Sequence, residues 1–137
     1  MNLKRFHSTP APGQPVPAVG APTGRAVFPH ERLDVHQVLV AAYQAVASWP
    51  VSFAKGTAGD QLKRAAMSAL LRYAEGFYAQ GGCQTAHWVA ARASAGEAGA
   101  AALSLVLERR ISAADAEAAR LLFARAMSML HRLSRRS

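Results

Sequence analysis

The clearest helical pattern in this sequence is DQLKRAAMSALLRYAEGFYAQ, residues 60–80. Its apolar positions recur at spacings of three and four, which place side chains on one face of an α-helix. They are Leu62, Ala66, Ala69 or Leu70, Tyr73 and Phe77. Asp60 is a natural N-cap, and the pair Gly81-Gly82 is expected to stop the helix. The pattern predicts an amphipathic helix from just after Asp60 to about Gln80.

An earlier segment, from Asp34 to about Ser48, has the same repeat. Asp34 is the predicted N-cap, and Pro50 ends the segment because proline cannot continue a helix. Its apolar stripe is Val35, Val38, Leu39, Ala42 and Val46.

A third helix is predicted from near Gln84 or Thr85 to Arg109. Its heptad-like seam has spacings of 4, 3, 4, 3 and 4: Val89, Ala93, Gly96, Ala100, Leu103 and Leu107. Small residues in the middle of this seam let a neighbouring backbone approach closely. We therefore expect this seam to pack against the other helices.

A fourth helix opens at Ser112-Ala-Ala-Asp115, which resembles a capping box with Asp in place of Glu. Its predicted seam is Ala118, Leu122, Ala126, Met129 and Leu133. No segment alternates with period two for long enough to indicate a strand. Short connections between amphipathic helices favour an all-α, antiparallel up-down-up-down four-helix bundle over residues 30–137.

The segment before the bundle is rich in proline. Six of the seven prolines lie in residues 10–29, interleaved with three glycines. Such a composition favours extended, solvated conformations and cannot bury enough apolar surface to fold alone. Residues 1–29 are therefore predicted to be a disordered leader.

Composition bounds the setting of the protein. About half of the 137 residues are apolar, which suffices for a core, but no stretch approaches the ~20 apolar residues that span a bilayer. The N-terminus lacks the apolar region of a secretory signal. The single cysteine, Cys83, excludes an internal disulfide. These features predict a cytoplasmic protein without a membrane partner.

Positive charge concentrates at the two ends of the chain. The formal net charge is +8, residues 1–30 carry three basic residues and no acid, and residues 109–137 carry seven arginines against two acids. Such an excess points to an anionic partner, nucleic acid more than membrane. The alternative is that arginine simply solubilises an alanine-rich helical surface.

The basic residues also have positions that indicate a binding surface. Arg125, Arg132 and Arg136 are separated by seven and four residues, so they line one face of the fourth helix. Lys63 and Arg64 are placed in the first turn of the second helix, where they oppose the macrodipole. Cations in unfavourable positions are mild evidence for phosphate contact, although an ordinary solvated face is the other interpretation.

Catalytic and metal-binding groupings are not evident. Cys83 and His87 are four residues apart and could share a helix face, but no third and fourth ligand accompanies them, so a solvent-exposed turn is predicted. His131 is expected to be exposed, and His36 to lie at the boundary of the first apolar stripe. The glycine pair lacks the lysine and hydroxyl of a phosphate-binding loop. We predict no enzyme, no cofactor and no metal.

Four motifs, in order, carry a resemblance to a known family. They are Leu33-Asp34-Val35-His36-Gln37, Gln61-Leu62-Lys63-Arg64-Ala65-Ala66-Met67-Ser68, Ala74-Glu75-Gly76-Phe77, and Ser94 with Glu97. Over residues 31–134 the chain resembles the four-helix-bundle proteins encoded in intervening sequences of bacterial large-subunit ribosomal RNA. The same superfamily includes Avd, the accessory variability protein of diversity-generating retroelements.

The resemblance implies a ring-like homopentamer of four-helix bundles and, in the Avd branch, a basic surface that binds RNA or DNA and a reverse-transcriptase partner. It implies no catalytic residues. Leu70, Arg72, Tyr73 and Ala93 depart from the family pattern, and Arg72 joins the candidate nucleic-acid-binding residues as an added positive charge. For Glu75 we expect an interhelical hydrogen bond or a pairing with basic neighbours such as Lys63 and Arg64, and for Gly76 a close helix contact.

Two functions follow as hypotheses. One is a non-enzymatic RNA- or DNA-binding oligomeric scaffold that partners a reverse transcriptase. The other is a structural protein–protein interaction module of the intervening-sequence type, without nucleic-acid activity.

Overall fold

The computed structural model describes residues 25–136, and every regular element in this range is helical. A short 3₁₀ turn, Pro29–Arg32, precedes four α-helices. These are α1 (Asp34–Ala47), α2 (Ala58–Tyr78), α3 (Gly81–Leu107) and α4 (Ala113–Arg136). The prediction of an all-α protein with four helices is confirmed. Most of the predicted leader, residues 1–24, lies outside the described residues.

Each α-helix packs mainly on two others. The contacts of α2 with α3 and of α3 with α4 are the most extensive, and α1 closes the arrangement against α4 and α2. The diagonal pairs, α1 with α3 and α2 with α4, make few or no contacts. The outer faces of α2 and α4 therefore lie on different sides of the molecule.

Alanine fills much of the core, and a few large side chains anchor it. The largest fully buried side chains include Tyr73, Phe123, Leu39, Leu62, Leu105 and Leu130. α3 contributes mostly alanine to the interior, and small side chains of this kind let neighbouring helices approach closely. The whole apolar stripe predicted for α1 is buried, as are Leu62, Ala66, Ala69 and Tyr73 of α2.

The predicted N-caps of α1 and α2 are wrong. Leu33 occupies the cap position of α1 without a side-chain hydrogen bond, and Asp34 is the first helical residue. α2 begins two residues before Asp60, and its cap is Thr57, whose hydroxyl accepts a hydrogen bond from the Asp60 N–H at 3.2 Å. The Asp60 carboxylate reaches back to the Gly56 N–H at 3.1 Å, so it still supports the helix start.

The glycine pair has the opposite role to the one predicted. α2 ends at Tyr78, and Gly81-Gly82 forms the first residues of α3. Gly81 has a φ of 56°, in the left-handed region that glycine adopts at little cost. The chain therefore reverses direction at Gly81, and the glycine pair begins α3 and does not terminate α2.

The seam predicted for α3 is also wrong, because it faces outwards. The buried residues of α3 are Trp88, Ala91, Ala95, Ala98, Ala101, Ala102 and Leu105. By contrast, Val89, Ala93, Ala100, Leu103 and Leu107 are exposed. Apart from Gly96, which is half-buried beside Met127 of α4, the predicted seam lies on the side of α3 away from the core.

α4 starts as predicted. The Ser112 hydroxyl accepts a hydrogen bond from the Asp115 N–H at 3.0 Å. Of the predicted seam, Leu122 and Ala126 are buried, whereas Ala118, Met129 and Leu133 are half-buried at its edge. The core positions that the seam missed are Ala116, Ala119, Phe123 and Leu130.

Within residues 25–136, no helix has the combined length and apolar character needed to cross a membrane.

Candidate nucleic-acid interface

The outer face of α4 carries Arg125, Arg132 and Arg136, and all three side chains are exposed. At 1.5 Å per residue they are spaced by about 10 Å and about 6 Å along the helix axis. No acidic residue follows Glu117 in α4. Within the described chain, no ion pair involves a residue of this helix. We call these three residues the α4 arginine face.

A further cation lies beside α4. The Arg92 guanidinium, on α3, is 2.6 Å from Nδ1 of His131. A guanidinium only donates hydrogen bonds, so Nδ1 of His131 accepts and carries no proton in this contact. His131 is exposed, as predicted. The contact places the Arg92 charge next to the last turns of α4.

The candidate cations of α2 are engaged with other protein groups. Arg64 Nε is 3.0 Å from Asp60 Oδ1, and Arg72 Nη1 is 3.5 Å from Glu75 Oε2. The Lys63 ammonium lies 5.1 Å from the centre of the Phe53 ring, a cation–π contact.

Because α2 begins at Ala58, Lys63 and Arg64 lie in its second turn, and the prediction that they oppose the macrodipole in the first turn is wrong. The Gly56 N–H, followed by Arg64, holds the pKa of Asp60 below its usual value, so the carboxylate partner of Arg64 stays charged.

Together the α2 cations line an open groove of about 500 Å³ on the outer side of α2. Tyr43 of α1, Met67 and Leu71 are among its other lining residues. The structure thus brings Lys63, Arg64 and Arg72 together. It does not bring them together with the α4 arginine face, since α2 and α4 are diagonal.

The motif residues meet one another between α2 and α3. Gln61 Nε2 donates to Glu97 Oε1 at 2.6 Å, and the hydroxyls of Ser68 and Ser94 are 3.0 Å apart. In these pairs, a higher residue number on α2 goes with a lower residue number on α3. These polar pairs fix the register of the two helices, which is a structural role.

Glu75 and Gly76 complete this contact. Glu75 Oε2 is 3.1 Å from Nδ1 of His87 on α3, so the expected interhelical pairing is present. A Cβ added at Gly76 would meet the Trp88 ring at 2.5 Å, which confirms that Gly76 permits a close helix contact. The Trp88 indole N–H donates to the Tyr73 carbonyl at 3.2 Å.

No metal site is assembled by the described residues. Cys83 is exposed, but it lies with His87 in helix α3, so the prediction of a solvent-exposed turn is wrong; His87 is half-buried and contacts Glu75. Residues 25–136 contain no group of three or more His, Cys, Asp or Glu side chains arranged to hold a metal ion.

The seam of α3 that is predicted to lie in the core forms a surface instead. We call its exposed residues the α3 outer stripe: Val89, Ala93, Ala100, Leu103 and Leu107. Only Arg92 and Glu97 are charged among the 27 residues of α3. A helix that is apolar all round is usually covered on every side.

A second unforeseen feature is the N-terminal strap, residues 25–33. The His30 ring lies 5.9 Å from the Phe28 ring in a stacked arrangement and 5.5 Å from the Tyr78 ring, edge to face. The strap is held by the Tyr73 hydroxyl, which donates to the His30 carbonyl at 2.6 Å. Because 48 residues separate His30 from Tyr78, no local sequence pattern could have revealed this cluster.

His36 lies below this cluster, 5.4 Å from the His30 ring. Its side chain is half-buried, which confirms the predicted boundary position, and its Nδ1 is buried without a hydrogen-bond partner among the described residues. Burial, with a smaller contribution from His30, lowers the pKa of His36 below its ordinary value of 6.5.

No protein-family model, curated protein or solved structure matches this chain. The fold and the surface together define a class: an all-α protein of four helices whose α4 arginine face has no ion-pair partner within residues 25–136.

Proposed function

We propose that this protein is a non-enzymatic scaffold that binds RNA or DNA through the α4 arginine face. The observation that carries the proposal is the set of exposed arginines on α4, which have no ion-pair partner within residues 25–136. Arginine is well suited to phosphate because its planar fork donates two parallel hydrogen bonds. The resemblance to the Avd branch supports the same function.

Binding through such a face has a defined mechanism. Each arginine that contacts a phosphate releases condensed counterions, and this release drives association. Phosphate contacts carry no base information, so affinity depends steeply on salt and only weakly on sequence. The α2 cations contribute less, because Arg64 and Arg72 are already paired with carboxylates.

The scaffold is proposed to be an antiparallel up-down-up-down bundle that assembles as a homopentamer. The opposite order of residues in the α2–α3 contacts supports the antiparallel arrangement. Residue numbers also run in opposite directions between α3 and α4, where Arg92 contacts His131 and Gly96 lies beside Met127. The α3 outer stripe supports self-association, since an exposed apolar surface of this kind is typical of an interface.

A reverse transcriptase is the partner protein to test, on the strength of the resemblance alone. The second candidate function is a protein–protein interaction module without nucleic-acid activity. The α3 outer stripe favours it, because apolar side chains at heptad-like spacing suit a partner helix.

Fluorescence anisotropy with a labelled structured RNA, at two salt concentrations, tests the main proposal. We expect tight binding at low salt that weakens steeply at high salt. Absence of binding at low salt contradicts the nucleic-acid function, and retention of a partner protein after nuclease treatment favours the interaction module. A monomer mass by light scattering contradicts the pentamer.

A further inference from the structure

We propose that Phe28, His30 and Tyr78, the aromatic platform, stack unpaired bases of single-stranded nucleic acid. The inference rests on the nucleic-acid-binding function proposed above and adds a preference for single strands. The platform lies where the N-terminal strap crosses the end of α2.

The exposure of these rings sets them apart. Among the Phe, Tyr and Trp side chains of residues 25–136, only Phe28 and Tyr78 are exposed, each at 56%. Both contact the same His30 ring, at 5.9 Å and 5.5 Å between centroids. Base stacking on exposed aromatic faces is the usual way in which proteins hold single strands without reading their sequence.

The platform is also preorganised. His30 Nδ1 is hydrogen-bonded to the Tyr78 hydroxyl at 2.9 Å, and the Tyr73 hydroxyl fixes the His30 backbone. The Glu31 carboxylate accepts hydrogen bonds from the N–H groups of Val27 and Phe28 at 2.6 Å and 3.1 Å. Rings that are already ordered lose little entropy when a base binds.

The position of the platform suits a nucleic-acid strand that also contacts α4. The Glu75–His87 contact places the last turn of α2 beside the first turns of α3. The Arg92–His131 contact places the last turns of α4 along the same part of α3. The platform therefore lies at the end of the bundle that also holds Arg132 and Arg136, so one strand can meet arginines with its phosphates and the rings with its bases.

The size and charge of this surface favour bases over a protein partner. With Val27 and Leu33, the exposed apolar side chains here number four, far fewer than the roughly 20–30 residues per side of a stable protein interface. The charges of Arg25 and Arg32 are balanced by Glu31 and Asp34. Stacking, and not charge, is thus the contribution of the platform, and it should change little with salt.

The test compares a single-stranded oligonucleotide with a duplex of the same length, each bound to the full chain at low and at high salt. The variants are Phe28→Leu and Tyr78→Leu, which keep apolar bulk but remove the aromatic face. We expect each to weaken single-strand binding about fivefold or more at both salt concentrations and to leave duplex binding unchanged. Val27→Ala, a neighbour without a ring, and Phe28→Tyr, which restores one, should bind as wild type.

Photo-cross-linking of the wild-type chain to an oligonucleotide containing 4-thiouridine gives a readout that no folding defect of a variant can affect. Cross-links at Phe28 or Tyr78 support stacking, and cross-links confined to other residues overturn it. Unchanged single-strand binding by both leucine variants also overturns stacking. If variants of the α4 arginine face lose affinity in the same experiment, the proposed nucleic-acid-binding function stands. A shift in oligomer mass caused by Phe28→Leu assigns the patch to a contact between copies and overturns stacking. Wild-type protein that binds no nucleic acid at low salt ends both proposals.

Discussion

Helices α2 and α4 have similar lengths, 21 and 24 residues, and each supplies three of the predicted cations, but the two sets of charges have different surroundings. On α2, Arg64 and Arg72 pair with carboxylates one turn away, and Lys63 lies over an aromatic ring. On α4, the arginines face solvent with no acid in the preceding turn. A count of basic residues therefore does not reveal which charges are free to bind a ligand.

The difference can be read from the sequence at the scale of one helical turn. Asp60 with Arg64 is an (i, i+4) pair and Arg72 with Glu75 an (i, i+3) pair, both of which bring opposite charges together on a helix. Exposed pairs of this kind contribute little stability, about 0.2–1 kcal/mol. Their main effect here is to neutralise the cations of α2.

The largest expected effect comes from removing the two sets of cations separately. The triple variant Arg125→Gln, Arg132→Gln, Arg136→Gln should lower affinity for structured RNA roughly 100-fold at low salt and reduce the salt slope by about 3.

The matched variant Lys63→Gln, Arg64→Gln, Arg72→Gln removes the same charge, and we expect less than about a fivefold loss because those charges are already balanced. Anisotropy titrations over a range of salt measure both. Equal losses in the two variants would mean that net charge, and not the α4 arginine face, governs binding.

The next effect concerns how closely α2 packs on α3. Gly76→Ala should lower the free energy of unfolding by about 1–3 kcal/mol, because the new methyl group would lie 2.5 Å from Trp88. The matched control is Gly99→Ala on α3, where a Cβ meets nothing within 4 Å. That change should stabilise the protein by about 0.5–1 kcal/mol through helix propensity. Chemical denaturation measures both, and a neutral Gly76→Ala would contradict the close packing.

The helices themselves were predictable because each has a local signal. In α1 and α2 the apolar stripe is interrupted by polar positions, so the pattern identifies the buried face. The N-cap residue Ser112 marks the start of α4. The α4 arginine face was found for the same reason, since spacings of seven and four fix positions on a helix without knowledge of the neighbours.

The orientation of α3 could not be predicted from periodicity. Its buried face, Trp88, Ala91, Ala95, Ala98, Ala102 and Leu105, has spacings of 3, 4, 3, 4 and 3, as regular as those of the predicted seam. Because both apolar faces of α3 have the same repeat, only tertiary contacts determine which face is buried. The decisive contact is Trp88 against Gly76, a pairing between residues of different helices.

The smallest of these effects concerns His36, whose ring packs beside Tyr73 of α2 and whose pKa is lowered by burial. The unfolded chain then binds a proton at His36 more readily than the folded chain does. The stability that His36 contributes is complete above pH 6.5 and is lost as the pH falls below that value. Denaturation at about pH 7.5 and about pH 5.5 should therefore show a smaller pH-dependent loss in His36→Leu than in wild type. Gln37→Leu, which changes the next residue of α1 without removing a titratable group, is the control and should keep the wild-type loss. If His36→Leu and wild type lose stability equally, protonation of the half-buried His36 ring does not contribute to the pH dependence of stability.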